Sequence, residues 1–247
     1  MNNVFGWPIE GETKALAALI DERTDLPTLP ERLGLCPPRP VIVLVGGAKG
    51  LGFSEHEGIL RLLTDVLVPL AESLGAAIID GGTNSGVMGL IGQMRGSMGA
   101  EFPLIGVLPA GKVALPGLPP PVKDAQLESH HTHFIFVPGD HWGDESAWLA
   151  QFASVLAQCA PSFTLVVNGG DVAWRDAAES VRSGRPVVVV GGSGRAADSM
   201  ADALHGRSTN AQARDLAASG LLREIKLTSS VKDLTRTLRE ILVPEAV

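Results

Sequence analysis

Four times along this chain of 247 residues a short apolar run ends in paired glycines and gives way to a helical pattern. The runs are VIVLVGG at 41–47, AAIIDGG at 76–82, FTLVVNGG at 163–170 and PVVVVGG at 186–192. A strand that is apolar on both faces must be covered on both, which places it inside a parallel sheet with helices above and below. Glycine permits the tight turn at its end, and the helix that follows begins with unpaired N–H groups. The expected fold is therefore α/β. It is a Rossmann-like, doubly wound, mainly parallel sheet with helices on both faces, and ligands sit beyond the C-terminal strand ends.

Between these units the pattern continues. Strands are expected at 103–108 and 133–137, with an edge strand at 224–227. Helices are expected at 56–74, 87–98, 173–182 and 230–242, with another ending near 157, and 207–219 reads as helix or loop. Residues 41–247 are taken as one domain. Residues 1–40 form a preamble packed on it: a helix over 13–21 with Thr13 as N-cap, then a proline-dense stretch wrapping the surface. Residues 109–130 have no period; they are either a lid or binding loop, or a surface insertion.

Composition narrows the partners. A net charge of −7 and a pI near 5.4 argue against nucleic-acid binding, which calls for a basic face. The two cysteines, Cys36 and Cys159, are expected as buried, reduced thiols. No apolar run exceeds strand length and no basic leader opens the chain, so a soluble, cytoplasmic protein that does not span a membrane is expected.

Four glycine loops share one rim of such a sheet, and the helix N-termini behind them suit an anion. In the first, Gly47 and Lys49 are candidates, Lys49 reading either as a phosphate contact or as a solvated cation. In the second, Gly81, Gly82, Thr83, Asn84, Ser85 and Gly86 lead into Val87 and Met88. The others contribute Gly169 and Gly170, then Gly192, Ser193, Gly194 and Arg195. A cation at a helix start opposes the dipole unless an anion binds there too, so Arg195 is read as a phosphate clamp. Asp80, beside this site, suits a ribose hydroxyl. Neither GxGxxG nor the GxxxxGK[ST] loop is present.

Around the fourth strand, His131, His133 and His141 are expected to hydrogen-bond ligand or backbone; no metal site and no required cofactor is expected. Gly139 and Asp140 open the next loop. Asp140, Asp144 and Glu145 suit either acid–base work or helix capping, with capping favoured for Asp144. Trp142 and Trp148 are the candidates to stack on a base.

The ordered motifs GGTNSGVMGLIG, HTHFIFVPGD, LVVNGG and PVVVVGGSGRAAD resemble the SLOG superfamily, specifically its LSDAT branch, whose members include prokaryotic proteins and the N-terminal region of TRPM channels. The resemblance implies a Rossmann-like domain that senses nucleotide-derived ligands, ADP-ribose among them. Gly81 to Met88 would then hold phosphate or ribose, with His133, Gly169, Gly170, Gly194 and Arg195 completing the pocket. The related Lonely Guy phosphoribohydrolases carry PGGxGTxxE, with a catalytic glutamate. The corresponding PGDHWGDES here departs from it, which leaves hydrolysis, through Glu145 or Asp140, as the alternative to binding. The DprA group is more distant, and the acidic charge speaks against its single-strand binding. A sensor without a second domain needs an effector partner or a change of association, and the alanine-rich helix near 148–157 suits a homodimer.

Overall fold

The computed structural model describes residues 3–8, 14–22, 25–47, 52–115 and 121–243. Its centre is a nine-stranded sheet in the order β1-β2-β6-β5-β4-β3-β7-β8-β9. The strands are β1 Asn3–Pro8, β2 Lys14–Leu19, β3 Val41–Gly46, β4 Ala77–Asp80, β5 Leu104–Pro109, β6 His133–Val137, β7 Ser162–Val167, β8 Val187–Gly191 and β9 Leu222–Lys226. All neighbours run parallel except β1 against β2. From β3 the chain steps outward through β4, β5 and β6, then returns to lay β7 against the other side of β3. The order therefore reverses between β3 and β7, the switch point of a Rossmann-like α/β sheet.

Strand β3 shows why these runs must be covered on both faces. Val41, Val43 and Val45 enter one core, while Ile42 and Leu44 enter the other. The helices are α1 Leu29–Arg32, α2 Phe53–Arg61, α3 Val68–Leu74, α4 Gly86–Ser97, α5 Ser146–Ala157, α6 Asp171–Arg182, α7 Arg195–Leu204, α8 Ala211–Ala218 and α9 Val231–Leu242. Side chains of α5, α6, α7 and α8 complete the first core, and those of α3, α4 and α9 the second. A π-helical stretch, Leu62–Leu67, joins α2 to α3 ahead of Pro69, which has no N–H to continue the α-helical ladder.

The amino-terminal segment corrects the sequence reading. Instead of a helix over 13–21, Lys14–Leu19 is strand β2, parallel to β6. Alanine and leucine favour a helix in isolation, but β6 offers an unpaired edge and the local propensity yields to it. Alternation then places Ala15 and Ala17 in a small core with Phe134 and Phe136, and Ala18 and Ile20 in the main one. Cys36 and Cys159 are exposed rather than buried, because both fall in connections outside the cores. Among the described residues, no helix is long and apolar enough to cross a membrane.

Candidate functional site

A cavity of about 1450 Å³ opens at the C-terminal ends of the strands, around the switch point. Its size exceeds the 300–1,000 Å³ or so typical of drug-sized ligands, leaving room for an extended one. Gly47 lines it from the β3 turn, and Gly81, Thr83, Asn84, Ser85 and Met88 from the β4–α4 turn. Gly139, Asp140, Glu145, Gly170 and Arg195 line it as well. Lys49 lies outside the described residues.

One side of the cavity is built for an anion. Helix α4 begins with Ser85 at the cap position, yet that side chain caps no N–H and the first turn holds no acid. Ser85 instead shares a 2.9 Å hydrogen bond with the Thr83 hydroxyl. The positive end of the α4 dipole thus faces the cavity with its donors unspent. Arg195 joins it, with no hydrogen-bond or ion-pair partner among the described residues. Its backbone φ is +51°, a left-handed value that costs a side-chain-bearing residue about 1–2 kcal/mol. Strain of this kind tends to be kept where a site needs it. The guanidinium packs on Gly170, where a Cβ would stand 3.0 Å from Nη2.

Asn168 holds Arg195 and Gly170 together. Its amide N–H donates to Ser193 Oγ and its side-chain Nδ2 to the Ser193 carbonyl, both at 2.8 Å, while Gly169 N–H donates to Asn168 Oδ1. Ser193 is fully buried in this lock. Gly169, Gly192, Ser193 and Gly194, expected in the pocket, therefore do not line it; they fix the turn that presents Arg195. The first-turn N–H groups of α7 are already taken, that of Ala196 by the Gly169 carbonyl and that of Ala197 by the Asn168 carbonyl, while Asp198 accepts from Gly192 N–H.

The β4 turn is corrected in the same way. Gly82 faces Gly106 and the Phe134 ring, where a Cβ would meet the Gly106 Cα at 2.9 Å, so it packs the sheet. Val87 is fully buried in the second core, and Gly86 makes the turn into α4 at φ +57°. Asp80 is not free for a ribose: it is wholly buried, accepting from Gly82 N–H at 2.7 Å and bonded to His131 Nε2 at 2.8 Å. His131 Nδ1 meets Glu128 at 2.9 Å. Burial alone would lower the His131 pKa, but the carboxylates of Asp80 and Glu128 outweigh it and raise it to about 9. An imidazolium is thus clasped between two carboxylates.

That clasp anchors part of the long 109–130 connection as a wall. Glu128 N–H donates to the Gly82 carbonyl and Asn84 N–H to the Gln126 carbonyl, with a bridge pairing Thr83 and Leu127. Lys123, Asp124, Ala125 and Gln126 consequently line the cavity. His133 is elsewhere. It opens β6, at the end of the sheet away from the cavity, and Nε2 donates to the Leu33 carbonyl at 3.0 Å. Two residues earlier or later in a parallel strand is a shift along it, and only the C-terminal end meets ligand.

The far side of the cavity is acidic. Asp144 Oδ2 accepts from the backbone N–H groups of Asp140 and His141, shaping the turn rather than capping α5, and these bonds lower its pKa, the His141 bond most. Glu145, 5 % exposed, accepts from Gly143 N–H, and burial raises its pKa. Trp142 lines the mouth with Lys112 5.9 Å above its ring, whereas Trp148 packs against the core. Asp176 of α6, absent from the sequence expectations, also lines the cavity. Burial, with help from Glu145, pushes its pKa up to about 7. The signal was there: Ala173, Asp176, Ala177 and Ser180 form one buried helical face, and an acid in such a face is anomalous.

These features agree with what the chain is similar to. A curated relative, mouse "Transient receptor potential cation channel subfamily M member 2", is 28 % identical over 204 residues, covering 68 % of this chain and 13 % of the channel. The chain thus spans only a small part of that relative's length. The family model described as "SLOG in TRPM, prokaryote" matches residues 39–236, β3 to α9 and with them the whole cavity rim. The chain belongs to the prokaryotic LSDAT family of the SLOG superfamily.

Proposed function

We propose that this cavity binds a nucleotide-derived ligand of the ADP-ribose type, and that the protein is a cytoplasmic sensor of it. One observation carries the reading: the uncapped α4 N-terminus and Arg195, unpartnered among the described residues, face the same cavity at the switch point. A diphosphate would take the α4 N–H groups and the Arg195 guanidinium, with the Asn84 and Ser85 side chains beside it. Membership of the SLOG superfamily and the likeness to part of a TRPM channel support a nucleotide-type ligand. The response would pass to an effector partner or to a second copy of the chain.

The test is a panel of NAD, ADP-ribose, cyclic ADP-ribose, AMP and ribose 5-phosphate, read by thermal shift and by chromatography of products. A ligand at about 100 times its Kd adds roughly 2.7 kcal/mol to folding stability. Stabilisation without turnover is the expected result. No stabilisation by any of these, with folded protein, overturns the reading. Two buried carboxyl groups facing the cavity, Glu145 and Asp176, favour N-glycosidic hydrolysis as the second reading; release of free base in the same chromatograms would establish it.

A further inference from the structure

The cavity has a second polar pole that a phosphate does not use. Asp176 lies in its wall at 8 % exposure, and Asp176 Oδ1 has no hydrogen-bond partner. The Ser146 hydroxyl is close enough to lower the Asp176 pKa, yet neither Ser146 Oγ nor Asp176 Oδ1 completes a hydrogen bond. Buried polar groups ordinarily find a partner, and a turn of this carboxyl group toward an occupant of the cavity would supply one. Around it the lining is apolar: Val45, Leu149 and Ala173. A flat ring suits those walls, with its polar edge toward the carboxyl group.

We infer that Asp176, backed by Glu145, is a base-recognition subsite that binds the edge of an amine-bearing nitrogen heterocycle, of the aminopurine or aminopyrimidine class. This rests on the nucleotide reading above and adds which residue reads the base. In its protonated form the Asp176 carboxyl group presents one O–H donor and one C=O acceptor side by side. The heterocycle presents the complement: a ring nitrogen that accepts and an exocyclic amine that donates. Glu145 keeps a proton on the pair, because two neighbouring carboxylates resist ionising together. The charges acting on Asp176 are Glu145 from the start of α5 and Glu179 and Arg175 on α6 itself, and the other titratable groups on the cavity wall are Asp124, Asp140, His141 and Asp171. The Ser146 hydroxyl and Arg175 favour the ionised form, and Arg195, Lys112 and Lys123 are the other cations on the cavity wall.

Isothermal titration calorimetry with AMP and with ribose 5-phosphate, from about pH 6 to pH 8.5, tests this. Both probes carry the same phosphate, so the ratio of their affinities isolates the base. That ratio is expected to fall by up to about tenfold per pH unit above the Asp176 pKa as the proton is lost. Asp176→Asn keeps a donor and an acceptor and should make the ratio independent of pH. Asp176→Ala should weaken AMP by about tenfold, as loss of one or two hydrogen bonds does, and leave ribose 5-phosphate within about twofold. Circular dichroism confirms that each variant is folded, and the Asn variant carries the test if the Ala variant is not. A ratio flat with pH in the natural protein, a ratio rising with pH, or an unchanged slope in Asp176→Asn overturns the base subsite. Ribose 5-phosphate binding in those cases leaves the phosphate side standing; binding of neither probe overturns both.

Discussion

Two pairs of buried carboxyl groups flank this cavity, and they are solved in opposite ways. Asp80 and Glu128 have His131 between them, with hydrogen bonds at 2.8 and 2.9 Å. Further hydrogen bonds come from Gly82 N–H to Asp80 and from His130 to Glu128. Burial would raise the Glu128 pKa, but the bonds from His131 and His130 outweigh it and lower it. On Glu145 and Asp176 burial outweighs the one cation acting on both, Arg175; their pKa values rise, and Asp176 Oδ1 is left unmet. The first cluster holds one loop against another and is not part of the cavity lining. The second lines the cavity. Each cluster keeps one buried oxygen without a hydrogen bond, Asp80 Oδ2 and Asp176 Oδ1, so what separates them is the imidazolium and the place: carboxylates clasped on a cation inside the chain are architecture, whereas a carboxyl pair without such a clasp at a cavity wall is a place for something else to bind.

Breaking the first cluster should have the largest effect. His131→Ala leaves two carboxylates buried without their cation and should cost about 3–5 kcal/mol in urea unfolding. A loss below about 1 kcal/mol would mean that the clasp is not structural. The pH dependence follows from the raised pKa. Unfolded, His131 gives up its proton near pH 6.5; folded, it keeps it to about pH 9. The native state holds more protons in that window, so this contribution is full below about pH 6.5 and fades as pH rises through about 9. Urea midpoints of the natural protein measured across that range should fall, and His131→Ala should lack that slope.

The second cluster should respond in the other direction. Asp176 is also a group whose pKa is raised on folding, to about 7, so stability is lost as pH rises from its unfolded value, near 3.8, to about 7, and the loss is complete above that. Asp176→Asn should therefore add about 1–3 kcal/mol at a pH near 8, with the gain shrinking toward about pH 5. Equal or lower stability at alkaline pH would remove the contrast between the clusters. Next in size is Arg195→Gly, which relieves a left-handed φ and a cation at a helix start. It should stabilise the fold by about 1 kcal/mol while lowering affinity for ribose 5-phosphate by about tenfold or more. Stabilisation with unchanged affinity would take Arg195 out of the site. Smallest is His133→Gln, which disturbs one hydrogen bond to Leu33 and should cost under about 1.5 kcal/mol, with no change in ligand affinity.

The sheet was legible because β3, β4, β7 and β8 are apolar on both faces and end in glycine, a pattern that few other folds accommodate. The β4–α4 turn was legible for the same reason: Gly81, Thr83, Asn84 and Ser85 do line the cavity. What a chain order cannot show is which side of a turn faces out. Gly82 and Ser193 sit in the same loops as Gly81 and Arg195 yet pack inward. His131 and His133 share a strand's approach, but one is clasped by Asp80 from β4, 51 residues away in sequence, and the other bonds the Leu33 carbonyl. The helix expected over 13–21 failed because its strand form depends on the edge of β6, a partner far along the chain. Asp176 was readable as an acid on a buried helical face, and that signal went unused.

Backbone hydrogen exchange with and without ADP-ribose tests the central claim most directly, since it reports where a ligand lands. Slowed exchange at the amides of residues 85–88 and 170–173, with His133 and its neighbours at the strand starts unchanged, is the predicted result. Unchanged exchange at these turns under saturating ligand, or protection confined to the shallow cleft at Glu31, Gly34 and Leu35, would contradict it.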